Sequence, residues 1–283
     1  MARILETTIV LLVLLSSMLH AAWNFVSRRV KGNLVVLWLS VMFAGILILP
    51  VVVVLAIENS AVHLSVPHAI ATAVIHAFYF SLLGLAYETG DISVVYPVAR
   101  GTGVAGTAVL AIIFAIDGIT WSGIAGIAII CIGLILLKER ASAGKKQFLI
   151  ALLVGVTIMG YSIVDKLGVS RSHPLPYICA LFLGSSICMT PYVIARYRGR
   201  IKELFRPNVR YMLFIGPAAM ATYLMILFAF QKGAVSIIVA FRESAVVFGS
   251  ILGYVILKEP YSARKAAALA VVVAGLVTVN LSG

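Results

Sequence analysis

The sequence predicts an all-α integral membrane protein, with ten transmembrane helices as two inverted five-helix repeats. Three observations predict it. The 283 residues are 62% hydrophobic and only 11% charged, with a mean hydropathy of +1.11. A soluble domain has too little interior to hide that much apolar side chain. The apolar residues also come in continuous runs of roughly 20, the length that crosses a hydrocarbon core of about 30 Å. Finally, a shift of 142 residues superposes Arg100 on Arg242, Val104 on Val246, Leu110 on Leu252, Asp117 on Glu259 and Gly133-Leu134 on Gly275-Leu276. Upstream, a shift of 143 matches Ala86, Gly90 and Ser93 with Ala229, Gly233 and Ser236, and Trp23–Arg28 resembles Tyr161–Lys166. Such self-similarity is the mark of a repeat.

The elements follow in order. Ile9–Leu15 imitates the core of a signal peptide, but the run continues through Trp23 with no small-residue cleavage site, so 7–27 reads as a retained first span. The next two spans are 33–57 and 67–87, the second carrying His76 and Tyr79. Spans four and five, 92–115 and 120–137, are separated by Asp117-Gly118. Spans 147–166 and 176–196 follow the basic gap Lys138–Lys146. Spans 210–230, 234–257 and 262–281 complete the chain, the middle one carrying Arg242-Glu243. Continuous apolar runs exclude barrel strands, which alternate over about ten residues. Backbone groups in lipid must bond within their own segment, which makes these runs helices. The domains are therefore 1–140 and 141–283. Because five is odd, the second half enters from the opposite side and is inverted, which gives two related conformations, one open to each face.

Loop charge sets an expected orientation. The termini and the gaps after spans two, four, six and eight share Arg3, Lys166, Arg171 and Lys232, four residues, against sixteen Lys and Arg on the other side. The positive-inside rule then places both termini outside the cytoplasm of a cell inner (plasma) membrane. The net charge of +12 lies mostly in these gaps, where it serves topology and anionic lipid and gives no indication of nucleic-acid binding. Arg196–Arg210 reads as a solvated basic loop. Cys131, Cys179 and Cys188 form no metal or disulfide pattern and read as small apolar fillers. Gly101–Gly106 spells GxGxxG, but no strand or βαβ unit surrounds it; within a span, such spacing lets helices pack closely.

The candidate site rests on charge within the membrane. A charge near the midplane costs from about 3 kcal/mol to more than about 10, depending on the scale. On span four, Tyr96, Arg100, Gly103 and Thr107 fall on one helical face. There Arg100 can grip a carboxylate or phosphate beside Gly103, or lock two helices through an acid. On span nine, Ser236, Glu243, Ser250 and Tyr254 form a stripe, with Arg242 about 100° away. Glu243 has two available tasks, pairing with Arg100 or exchanging a proton. Two Arg against one Glu make the centre net positive, which favours an anionic or zwitterionic cargo. His76 and Tyr79 share a face of span three, where His76 can meet cargo, sense pH or be satisfied within the bundle. Trp23 and Asn24 shape the cavity or bond between helices. Asp165 falls near the interface, with Lys166 or solvent as partner.

His20-Ala-Ala-Trp-Asn24, the five-plus-five repeat and Ile256-Leu-Lys-Glu-Pro260 before a Gly-Leu-bearing last helix together resemble the drug/metabolite transporter superfamily, in its EamA-type ten-helix branch. The first repeat departs from that pattern, with Ala115-Ile-Asp-Gly118 where a Gly-Glu sequence is usual. The charge-derived orientation departs too, since the termini of such proteins are generally cytoplasmic. The resemblance implies a central cavity lined by the third, fourth, eighth and ninth spans, and transport of small metabolites.

The leading expectation is a secondary transporter, an exporter, of a small anionic or zwitterionic metabolite by alternating access. Substrate-binding residues would be Arg100, Arg242, Glu243, Tyr96, His76, Tyr79, Trp23 and Asn24. The partners are a small-molecule substrate, membrane lipid and a coupling proton; no cofactor or metal is expected. One alternative is a proton-coupled exporter of cationic drugs using Glu243, and another is a lipid-handling protein or flippase. An enzyme is not expected, because the acids and histidines are scattered. Cargo, direction, coupling ion and oligomeric state are not encoded legibly.

Overall fold

The computed structural model describes residues 6–30, 33–58, 62–89, 92–137, 144–258 and 262–282; for 28, 29, 87–89, 92–96 and 257 it describes the backbone alone. No strand occurs among the described residues. The helices are α1 (Thr7–Arg29), α2 (Leu34–Glu58), α3 (Val66–Thr89), α4 (Ile92–Ile113), α5 (Trp121–Leu136), α6 (Lys145–Val169), α7 (Pro174–Tyr197), α8 (Ile201–Phe205), α9 (Val209–Lys232), α10 (Val235–Phe241), α11 (Ser244–Leu257) and α12 (Ala263–Asn280). A single 3₁₀ turn, Arg206–Asn208, joins α8 to α9. Eight stretches are long and apolar enough to cross a membrane, and Pro97–Ile113 and Trp121–Leu136 are shorter apolar helices. The protein is a multi-pass membrane protein.

The expected spans differ from these helices mainly at two places. Arg196–Arg210 is not a plain loop, for it winds into α8 and the 3₁₀ turn. The ninth span is not one helix either. It divides into α10 and α11 at Arg242-Glu243, where Glu243 N bonds Ala240 O at 3.1 Å, Ala245 N bonds Arg242 O at 3.0 Å and Val246 N bonds Glu243 O at 2.9 Å. These bonds reach back three residues instead of four, so the helix is tightened there.

Side-chain size decides how the helices meet. A Cβ on Gly126 would stand 2.8 Å from Val279 N, one on Gly133 2.9 Å from Val272 N, and one on Gly275 2.8 Å from Ile130 N, so α5 and α12 touch backbone to backbone. Gly103 and Gly106 face Ile158 and Met159 in the same manner, seating α4 on α6. The GxGxxG string is thus a packing surface, and Gly103 does not open space beside Arg100. On the other flank, Trp38 of α2 donates to Ser186 O (3.0 Å) and Thr190 Oγ1 (3.1 Å) of α7. Between these pairs, α1, α3, α4, α6, α9 and the α10–α11 turn surround the centre. The outer faces stay apolar, as in the second half of α2, where Ile46, Leu47, Val51, Val53, Val54 and Ile57 are exposed; lipid is their solvent.

The ends of the helices are closed by polar groups. Lys166 Nζ donates to Phe230 O (2.6 Å) and Gly233 O (2.8 Å), setting a cation on the carbonyls that end α9. Asp117 accepts from Val235 N at 2.5 Å, setting an anion on the start of α10. His173, just before Pro174, accepts from Leu175 N at 3.2 Å and opens α7. α4 leaves its axis through Ala115 in the left-handed region (φ 49°), and α11 through Lys258 (φ 53°). The three cysteines are free; Cys131 and Cys179 lie over the carbonyls of Gly101 and Gly45, while Cys188 is exposed.

Candidate functional site

The centre of the bundle holds a small cavity. Its walls come from His20 and Trp23 on α1, His76, Tyr79 and Phe80 on α3, Tyr161 on α6, Phe182 on α7, and Ala219, Thr222 and Tyr223 on α9; Arg242 enters from the α10–α11 turn. About 30 Å³ is open to the centre of a water-sized sphere, which is room for two or three waters by that measure. A metabolite fits only if the helices part.

The walls are built from rings. His76 stacks on Tyr161 at 4.3 Å between centroids and meets Tyr223 edge-on at 5.2 Å, while Tyr79 meets Tyr161 at 5.4 Å. Thr72 fixes His76, with Oγ1 3.0 Å from Nδ1. His20 and Trp23 form an edge-to-face pair at 5.0 Å. The indole Nε1 of Trp23 is buried with no hydrogen-bond partner, as is Thr222 Oγ1. Unsatisfied donors on a cavity wall are available to a ligand.

The two arginines differ in their surroundings. Arg100 is held by Glu243: Nη2 lies 2.6 Å from Oε1 and Nε donates to Oε2 at 3.2 Å. Both side chains are buried and the contact is two-pronged, so this pair locks α4 to the α10–α11 turn. Arg242 is 5% exposed, and among the described residues no acid lies within ion-pair distance of it. Its guanidinium sits 5.4 Å from the centroid of Tyr223, a cation–π contact. Ser17 Oγ holds the carbonyl of Arg242 at 3.3 Å, and Ser16 Oγ bonds Thr222 O at 2.9 Å, so α1 braces the tightened turn.

Behind the cavity lies Asp165, wholly buried. Its carboxyl accepts from Tyr177 Oη at 2.9 Å and from Tyr223 Oη. The expectation that Asp165 sits near the interface with Lys166 or solvent is corrected. Lys166 turns to the end of α9 instead, and Asp165 faces inward because the opposite side of its turn of α6 is taken by that capping contact. The charge count changes accordingly. Arg100 and Glu243 offset each other, and Tyr223 joins Asp165 on its hydroxyl side to Arg242 on its ring face, so the centre is balanced, not net positive.

Of the residues singled out in the sequence, Trp23, His76, Tyr79 and Arg242 line the cavity. Arg100 and Glu243 pair with each other and are not among its lining residues. Asn24 is turned back on its own helix, where Nδ2 donates to His20 O at 2.9 Å. Tyr96 falls where only the backbone is described. Along the expected stripe of span nine, Ser236 and Glu243 are buried but Tyr254 is 57% exposed, because the tightened turn at Arg242-Glu243 shifts the register of α11. Phe80, Phe182, Thr222 and Tyr223 went unread, since aromatic and small polar residues in a span carry no charge to mark them. Tyr223 had a signal nonetheless: Thr222-Tyr223 lies 143 residues beyond Tyr79-Phe80, close to the shift that matches the flanking residues. Among the described residues, no cluster of three His, Cys, Asp or Glu is placed to hold a metal.

Residues 145–281 match the sequence profile of the EamA-like transporter family. The chain carries an EamA-like transporter domain. The match covers α6 through α12, including Arg242, Glu243, Asp165 and Tyr223 of the centre. No curated protein matches the chain by sequence. Among solved structures, one crystal structure, titled only as that of a protein, superposes with a TM-score of 0.70 at 20% identity, covering 96% of this chain and 95% of the other. At that identity the likeness extends the shared fold over both halves of the chain and says nothing of cargo.

Proposed function

We propose that the protein is a secondary-active transporter of the plasma membrane that exports a small anionic or zwitterionic metabolite by alternating access. The observation that carries this reading is Arg242, a buried cation facing a ring-lined cavity with no acid paired to it among the described residues. A guanidinium presents five donors in a plane, which matches a carboxylate or phosphate with two parallel bonds. Trp23 Nε1 and Thr222 Oγ1 add donors on the same wall, and the rings of Tyr79, Tyr161 and His76 suit the cargo's apolar body.

The moving parts are two inverted five-helix repeats, residues 1–140 and 141–283. Helix packing supports this. Exchanging α1–α5 for α6, α7, α9, α10–α11 and α12 turns the α1–α9 contact into α3–α6, α2–α9 into α3–α7 and α1–α11 into α4–α6; α2–α7 and α5–α12 map onto themselves. The left-handed residues Ala115 and Lys258 end corresponding helices. Such symmetry lets one half rock against the other about a fixed central site. The engagement of Glu243 by Arg100 counts against Glu243 as a freely exchanging acid, and so against export of cationic drugs by that route.

The test is thermal stability of the purified protein against amino acids, organic acids, phosphorylated metabolites, phosphonates and cationic drugs, for wild type and Arg242→Ala. Stabilisation by an anion or zwitterion that vanishes in Arg242→Ala supports the reading. Stabilisation only by cations, unchanged by the substitution, overturns it.

A further inference from the structure

Asp165 and Glu243 are the two wholly buried acids among the described residues, and their partners differ in kind. Glu243 is bound by Arg100, whose nitrogens only donate. A protonated Glu243 would set O–H against N–H, so this carboxylate is fixed as an acceptor. Asp165 is met by hydroxyls: Tyr177 from α7, Tyr223 from α9, and Thr72 of α3 facing the same carboxyl. Each hydroxyl can accept as well as donate and can rotate to do so. The Asp165 site therefore has a complete set of hydrogen bonds with the proton on or off.

The other charged and titratable groups around it are accounted for. Lys166, next on α6, is bound to Phe230 O and Gly233 O. Arg100 of α4 is committed to Glu243. His76 of α3 is held by Thr72 and stacked on Tyr161. Arg242 acts on Asp165 through space, with Tyr223 between them. Asp165 thus meets the cavity at two points, through Tyr223 to Arg242 and through Thr72 to His76.

We infer that Asp165 is the proton-binding site of the transport cycle, taking up one proton when an anionic cargo docks on Arg242. The inference rests on the proposed function and names its coupling ion. With Asp165 ionised the centre is already balanced, and an incoming monoanion leaves one uncompensated negative charge in a low-dielectric site. Protonation of Asp165 removes that charge, and Tyr223 is freed from donating to an anion while its ring still covers Arg242. Proton and anion then promote each other's binding by the same factor, as linkage requires.

The experiment has a part that needs no cargo. Infrared difference spectra of the whole protein, recorded from mildly acidic to mildly alkaline pH, are compared for wild type and Asp165→Asn, which keeps the shape of the side chain. A protonated-carboxyl band that titrates in wild type and is missing in Asp165→Asn is the expected result; absence of that band in wild type overturns the inference. The second part uses methanesulfonate, a monoanion of constant charge, with binding measured by calorimetry in two buffers of different ionisation enthalpy. Wild type is expected to take up a proton as it binds, with affinity rising by up to tenfold per unit fall in pH, whereas Asp165→Asn binds independently of pH. Tyr223→Phe, which cuts the link and keeps the ring, is expected to flatten the dependence as well. Arg242-dependent binding with no proton uptake overturns the inference and leaves the proposed function standing. The same holds if pH dependence survives in Asp165→Asn, since another group then carries it. If the band is present but methanesulfonate fails to bind, Arg242 is not an anion site, and the proposed function and this coupling fall together.

Discussion

Replacing Glu243 by Gln leaves Arg100 in place without its counter-charge. In the native protein Arg100 Nη2 and Nε approach the carboxylate to 2.6 Å and 3.2 Å, between side chains that are 6% and 0% exposed. Two unit charges about 4 Å apart interact by about 4 kcal/mol at an effective dielectric near 20. Removing one partner of a buried pair destabilises by about 3–5 kcal/mol, because the remaining ion is stranded in the interior. Glu243→Gln is therefore expected to lose about 3–5 kcal/mol in reversible unfolding in mixed micelles. Arg100→Met combined with Glu243→Leu, which removes both charges and keeps volume, is expected to recover most of that loss. The double-mutant cycle separates the pair's coupling from packing. A loss below about 1 kcal/mol in Glu243→Gln, the level of a solvated ion pair, would refute the claim that this pair locks α4 to the α10–α11 turn.

Three further outcomes follow from the same structure. Gly126→Ala or Gly275→Ala sets a methyl against facing backbone, and each is expected to destabilise by about 1–3 kcal/mol in the same unfolding assay, whereas Gly249→Ala, whose Cβ would meet nothing, is expected to be tolerated. Lys166→Met removes two bonds to the carbonyls that end α9 and is expected to lose about 1.5–3 kcal/mol, with faster hydrogen exchange at the start of α10. A reporter active only in the cytoplasm, fused after Gly283, is expected to stay silent, in keeping with the four-against-sixteen division of loop charge; an active reporter would reverse the orientation.

Much of the fold was legible because the bilayer imposes a length and a composition on each span, and the ten expected segments coincide with helical structure to within a few residues. The repeat was legible because Arg100, Asp117 and Gly133 stand in register with Arg242, Glu259 and Gly275. The division of the ninth span was not, since Phe241-Arg242-Glu243-Ser244 contains neither Pro nor Gly. Its tightened turn is fixed by Ser16 and Ser17 of α1, which are more than 200 residues away. The charges were legible as important but not as partnered. That Glu243 takes Arg100 and leaves Arg242 to the cavity depends on which helix face each presents after the turn. Asp165 was misplaced for a similar reason: its position near a helix end suggested solvent, while Lys166 beside it reached the α9 terminus and turned Asp165 inward.

The central claim is that Arg242 holds the cargo, and counterflow in proteoliposomes tests it most directly. Vesicles loaded with the anion or zwitterion that best stabilises the wild type would be given a trace of its labelled form outside. The account predicts accumulation of label by wild type and loss of it in Arg242→Ala, with the protein still folded and the Arg100–Glu243 pair intact. Undiminished counterflow by folded Arg242→Ala would contradict it.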